Sequence, residues 1–411
     1  MKQRNSASWP IPVCLFLLLS SAFGQLNRIP VNGQPWFLNG VNAAWNAFGT
    51  DVGRHPSWGV LHNIAFFDSM FARVQSAGGN SVRWWLHCDG RSTPEFDGQG
   101  MVTGLDAEFF PHLDAILNSA ARYRVRVMPV LWSFDMANTV SGAGAFAGMH
   151  INLITDTAAT RTYINRVLIP MVTRYAGHAG LLAWEICNEP EWMLNTDGST
   201  AQRATARQLQ RWHGMLAAAI HRADPGALVN TGSAGLKWNW DNPTGAERNL
   251  WTDSALFQDV RDPLARLDFY QVHYYAWMRG AGWSYSPFDR NASYWRLDKP
   301  VIIGELPGVG EAGYRTLTQM YRWALDSSYA GIMAWTYAGN DANGSWTDIR
   351  PGVQAVAPSV SMVPGGKGER QMRILKSFDP GAGSWYRLDG RRNPAHVGWL
   401  PTTGVAIRRS E

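Results

Sequence analysis

A chain of 411 residues, 45% hydrophobic and 17% charged, is long enough for one large domain with its own core. The formal charge of +5 is small and scattered, which excludes a nucleic-acid face built on clustered Lys and Arg, and three cysteines exclude a disulfide-held fold. Tryptophan is the anomaly, at 21 residues: some must fill the interior, but many fall just after apolar runs, where flat rings are available to a ligand.

The first residues read as an address. Lys2 and Arg4 precede an apolar core from Ile11 to Leu19, and Ala22 and Gly24 put small residues at a cleavage site. That core is far shorter than the roughly 20 residues of a spanning helix. Residues 1–24 are therefore expected to be a signal peptide, with the secreted chain starting near Gln25, or a periplasmic one in a Gram-negative source. Cys14 leaves with the leader, the charge falls by two to +3, and the mature cysteines are Cys88 and Cys187.

From Ile29 to Leu38, with Asn32-Gly33 at its turn, a small hairpin is predicted to close a barrel floor. Short apolar runs then alternate with amphipathic stretches. Strands are expected at 37–42, 81–86, 125–131, 181–188, 228–231, 269–273, 301–304 and 331–335. Helices are expected at 65–77, stopped by Gly78-Gly79, at 106–123 and 157–175, and at 201–223, ended by Asp224-Pro225-Gly226. This alternation predicts an α/β fold, a (β/α)₈ TIM barrel with long βα loops and a small N-terminal hairpin. A doubly wound open sheet is the competitor, but functional-looking residues end strands all round the series and not at one switch point. The barrel domain is expected over 25–357. Residues 358–411, with a Pro-Gly-Gly-Lys stretch and a basic end, are an extension without a recognisable role.

The chemistry gathers at two strand ends. The run from Leu181 stops on Asn188-Glu189-Pro190, where proline ends strand pairing. Pro300 to Pro307 repeats the design: a β-branched run, Gly304, Glu305 and then a proline. A lone Glu at such a place is usually a surface residue. Two carboxylates on two strand ends of one barrel can face each other across a cleft, and that pair is the machinery of glycoside hydrolysis. Arg83 lies inside an apolar run and requires a carboxylate partner. His273 and Tyr275 share parity, and Trp335 with Tyr337 offers an aromatic floor. Gly308 to Gly313 matches a dinucleotide-binding pattern, but Glu305-Leu306-Pro307 separates it from its strand and no strand-end acid follows, so it is a flexible βα loop. Asn195 to Ser199 is too short an acidic cluster to argue a metal, and no cofactor is expected.

Trp184-Glu185-Ile186-Cys187-Asn188-Glu189-Pro190, Val272-His273-Tyr274-Tyr275 and Ile303-Gly304-Glu305 resemble glycoside hydrolase family 5 of the clan A barrels. Phe37 to Trp45, Gly79 to His87, Ser92 to Asp97 and Phe269 to Trp277 are similar to the animal-type endo-β-1,4-mannanases of that family, over roughly residues 30 to 355. The resemblance implies Glu189 as general acid/base and Glu305 as nucleophile, with Asn188 bonding the sugar 2-hydroxyl. Arg83 would orient Glu305 and lower its pKa, Tyr275 would bond it, and His273 would hold the acid/base side. Trp335 would form the platform under the reacting sugar, with Trp45, Trp132, Trp192 and Trp277 spread along a long groove. The implied activity is a secreted, monomeric, retaining endo-mannanase acting on β-mannan or a related plant or algal polysaccharide, with no nucleic acid and no membrane after signal cleavage. Alternatives are another family 5 β-glycanase, such as a cellulase or an exo-β-mannosidase, and a non-catalytic polysaccharide-binding protein. A barrel of other chemistry finds no nucleophilic Ser elbow or metal cluster.

Overall fold

The computed structural model describes residues 27–138, 150–280 and 285–360, together with 385–386 and 407–408. Eight strands, here β1 to β8, build the barrel: Leu38–Asn42, Ser81–Trp85, Arg126–Ser133, Trp184–Asn188, Val229–Ser233, Tyr270–His273, Val301–Glu305 and Gly331–Ala334. They pair in sequence order, all parallel, and β8 closes on β1. Alternation decides the two faces of this wall. Val41, Val82, Trp84, Val127, Leu131, Trp184 and Ile186 pack outward in the large core shared with the helices. Leu38, Met128, Ala183, Phe269, Ile302 and Met333 point inward and fill the lower barrel.

The hairpin of Ile29–Val31 and Gln34–Trp36 lies beneath them, with Ile29, Val31 and Trp36 in that same inner cluster. It therefore plugs the floor, and the top face is left for chemistry. The Gly308–Gly313 segment is a βα loop after β7, held by Gly308 N–H on the Trp335 carbonyl and Val309 N–H on the Asn343 carbonyl.

Helix ends depart from the periodicity where caps decide them. The helix expected at 201–223 starts at Ala206, because Thr205 and Gln208 form a reciprocal capping box. The stretch expected as one helix over 157–175 is Thr157–Tyr163 and Ile169–Arg174 with a π turn, Ile164–Leu168, between them. Pro170 offers no N–H for a regular helical bond, which the widened turn accommodates. Cys88 and Cys187 are both buried and unpaired. No described helix is long and apolar enough to cross a membrane. The expected leader lies outside the described residues. The chain divides into a first unit ending at Pro364 and a second, Gly365–Glu411, in which Trp385–Tyr386 pairs antiparallel with Ile407–Arg408.

Candidate active site

Glu305 is the last residue of β7, and Glu189 is the first residue after β4. Both stand at the C-terminal rim of the barrel, where this fold places its chemistry. Glu189 adopts a left-handed conformation, φ 47° and ψ 51°, uncommon for a residue with a side chain. Its N–H donates to the Gly232 carbonyl at 2.6 Å, and Pro190 then opens a 3₁₀ turn. The strained turn swings the carboxyl over the barrel mouth. One oxygen of Glu189 and one of Glu305 come within 4.8 Å of each other and of a His273 ring nitrogen.

Arg83 organises the floor beneath this pair. Its Nε and Nη2 donate to the two oxygens of Glu185 at 2.7 and 2.6 Å, and Nη2 also donates to Asn188 Oδ1 at 2.7 Å. Nη1 donates to Asn42 Oδ1 at 2.9 Å and to Glu305 Oε1 at 2.5 Å. All five guanidinium hydrogens are thereby engaged, which only arginine can do. Glu305 Oε2 accepts from the Tyr275 hydroxyl at 2.9 Å. Burial pushes the Glu305 carboxyl up, and the Arg83 charge opposes it. The lowering expected of Arg83 is thus real as a local influence but does not win over desolvation.

Glu189 has a different setting. His273 Nδ1 lies 2.8 Å from its Oε1, and Trp192 Nε1 donates to its Oε2 at 2.7 Å. Burial pushes Glu189 up to about 7, with Trp192 and Arg83 pulling weakly the other way. Burial also holds His273 down at about 4, so its ring is neutral near pH 7. The two carboxyls are therefore inequivalent: Glu305 bonds a permanent cation directly, whereas Glu189 meets two neutral N–H-bearing rings.

Aromatic rings line the mouth. Trp335 is 7% exposed, and its Nε1 donates to Asp341 Oδ2 at 2.8 Å. Trp45 packs edge-on against Trp335 and Trp85, with centroids 5.6 and 5.2 Å away. Trp277, 49% exposed, has its ring centroid 6.2 Å from that of Trp192. Trp132 requires correction as a groove residue: it is fully buried, packed against His87 and Tyr163. The chain at Gly90 passes over it, so close that a Cβ there would come within 3.1 Å of the ring. That cover, not the strand position, decides its role.

Sequence reasoning does not single out Glu185, Asn42, Gln271 or Trp85. Glu185 had a usable signal: it is a charge inside an apolar strand, the mirror image of Arg83. Asn42, Gln271 and Trp85 carry no such mark. Glu189, His273 and Glu305 each offer one atom to a cation. Both carboxylates already accept from protein donors, and paired-carboxyl chemistry needs no ion.

Residues 38–341 match the family model described as cellulase, glycosyl hydrolase family 5. The chain is 33% identical over 344 residues to a mannan endo-1,4-beta-mannosidase of Mytilus edulis, covering 79% of this chain and 88% of that one. A mannan endo-1,4-beta-mannosidase of Cryptopygus antarcticus is 29% identical, with 79% and 86% covered. The solved beta-mannanase of Mytilus edulis superposes with a TM-score of 0.72 at 32% identity, over 82% of this chain and 99% of that one. The endo-1,4-beta-mannanase of Eisenia fetida gives 0.71 at 32%, over 81% and 94%. With its carboxylates at the ends of β4 and β7 of an eight-stranded barrel, this chain is a glycoside hydrolase and belongs to glycosyl hydrolase family 5.

Proposed function

We propose that this enzyme is a secreted, monomeric endo-β-1,4-mannanase that cleaves internal bonds of mannan with retention of configuration. The observation that carries the mechanism is the approach of Glu189 and Glu305 oxygens within 4.8 Å. Retaining enzymes hold their carboxyls about 5–5.5 Å apart, whereas inverting ones leave about 6.5–9.5 Å for a water.

In this reading Glu305, ionised beside Arg83, attacks the anomeric carbon while Glu189 gives its proton to the departing glycosidic oxygen. The C1–O bond to the leaving sugar breaks as the bond to Glu305 forms. Water then enters, Glu189 takes its proton, and the hydroxide displaces Glu305. Asn188 turns its Oδ1 to Arg83 and keeps its amide hydrogens for the sugar 2-hydroxyl. Trp335 lies beneath the reacting ring, and Trp45 and Trp277 extend the groove to either side. The cycle needs no cofactor.

The mannan preference is supported by the names of the relatives, which match along most of both chains. Export is supported by the leader pattern in residues 1–24, with 25–357 as the catalytic domain and no role given to 358–411. Mannose and glucose differ only at the 2-hydroxyl, so discrimination falls to polar groups around it. An unpaired buried polar group costs about 1–3 kcal/mol, a roughly ten- to hundredfold preference. The test is kcat/KM for mannohexaose and cellohexaose under one set of conditions, with NMR of the first-formed anomer. Equal constants would overturn the mannan assignment, and an α-anomer would overturn retention.

A further inference from the structure

Gln271 lies within the Phe269–Trp277 segment but was given no role by the sequence, yet it joins the two halves of the site. It is fully buried on β6, two residues before His273. Its Nε2 lies 3.0 Å from Glu185 Oε2 and 3.3 Å from His273 Nε2. Both flanking strands make room for it. A Cβ at Gly304 would fall 2.4 Å from its Cδ, and one at Gly232 would fall 2.8 Å from its Nε2.

The orientation of its amide follows from Glu185. That carboxylate is paired bidentately with Arg83 and is an acceptor only, so Gln271 must present its NH2 group to it. The reversed amide would set a carbonyl oxygen against Glu185 Oε2. In the orientation observed, Gln271 Oε1 has no partner among the described residues, which is the lesser penalty. The second amide hydrogen then faces His273 Nε2, and that nitrogen accepts only when it carries no proton. The neutral ring must therefore hold its proton on Nδ1, the nitrogen 2.8 Å from Glu189 Oε1.

We propose that Gln271 is a positioning residue that fixes the Nδ1–H tautomer of His273, so that the acid proton of Glu189 meets donors and no hydrogen-bond acceptor among the described residues and is directed at the leaving oxygen. The proposal rests on the reading of Glu189 as the general acid. In this arrangement both neighbours of the carboxyl are donors, His273 Nδ1–H on Oε1 and Trp192 Nε1–H on Oε2. The opposite tautomer would offer a bare Nδ1, and the Glu189 hydroxyl would turn inward to it. In the second half of the cycle the same Nδ1–H supports the carboxylate that receives the proton from water.

The direct test is ¹⁵N NMR of the histidine rings in the whole enzyme. The wild type is expected to show His273 with Nδ1 protonated and Nε2 bare. Gln271→Met, similar in length but without a donor, is expected to admit the Nε2–H form. The kinetic test compares kcat/KM for mannohexaose, which needs a proton, with that for a 2,4-dinitrophenyl mannobioside, which does not. Gln271→Met should lose about ten- to hundredfold on the first and less than about threefold on the second. Equal losses on both would mean that Gln271 acts through Glu185 and Arg83 on the nucleophile, and would overturn the proposal. An Nε2–H ring in the wild type would overturn it without any variant. Glu189→Ala is run alongside: if it too loses equally on both substrates, the acid assignment fails, while the NMR result still judges the tautomer.

Discussion

Arg83 and Glu185 form a bidentate ion pair inside the barrel, with neither side chain exposed to solvent. The pair carries one charge of each sign, so the further bond from Arg83 to Glu305 adds a second carboxylate to one cation. Burial raises the Glu305 carboxyl and the Arg83 charge opposes that rise, so the arginine must hold both acids at once. Breaking such a buried group from one side leaves uncompensated charge, which costs more than the group contributes when intact.

Arg83→Lys therefore cannot substitute. A lysine has three donors on one nitrogen and cannot span Glu185, Asn188, Asn42 and Glu305 together. The expected outcome is a loss of about 3–5 kcal/mol in unfolding free energy, read by urea titration at pH 7, with activity near background. A variant of wild-type stability would show that the hub is dispensable.

Azide separates the two carboxyls. Glu189→Ala should keep turning over an activated aryl mannoside, and added azide should raise the rate and yield the mannosyl azide with retained configuration. Glu305→Ala should be inactive on all substrates, a loss of several kcal/mol of barrier reduction at order-of-magnitude level. Any azide product from it should be inverted. Retained product from Glu305→Ala instead would exchange the roles.

The pH response follows from Glu189 at about 7. Because the proton-donating form is required, kcat/KM on mannohexaose should fall as pH rises through that value. Stability carries the same sign. Folding raises this carboxyl above its ordinary 4.5, so the folded state binds the extra proton, and the associated stability is lost as pH climbs toward 7 and beyond. Buried neutral His87 and His213, both held at about 3, act in the opposite direction, so the wild-type curve alone is uninformative. The difference between Glu189→Ala and wild type isolates the group. It should shift in the variant's favour by on the order of 2–4 kcal/mol between pH 5 and pH 8. A pH-independent difference would contradict the raised value.

Two tryptophans given one role by the sequence should now part. Trp132→Ala, which empties a packed interior site, should cost about 3–5 kcal/mol of stability. Trp277→Ala, half-exposed beside Trp192, should leave Tm within a degree or two and raise KM for mannohexaose about two- to tenfold. Mannotriose, too short to reach both sides of the cleft, should register little of the second change.

What the chain order determined by itself was the barrel and its two acids. Strand and helix periods are local properties, and a carboxylate stopped by a proline at the end of an apolar run is visible without neighbours, as at Glu189-Pro190 and Glu305 before Pro307. Arg83 announced its need for a partner in the same local way. Which partners it took was a matter of the closed barrel. Asn42, Glu185, Asn188 and Glu305 come from three further strands and meet at one guanidinium only because β8 returns to β1. The fate of Trp132 was equally non-local, since the chain at Gly90 and His150 covers a ring that its own strand could have left open. Gln271 is the clearest case. Its meaning lies in two bonds, to Glu185 on β4 and to His273 on its own strand, and in the space left by glycines on β5 and β7. Hydrogen bonds between strands distant in sequence leave no period or composition behind them, so tertiary closure alone decided which polar residues became a site.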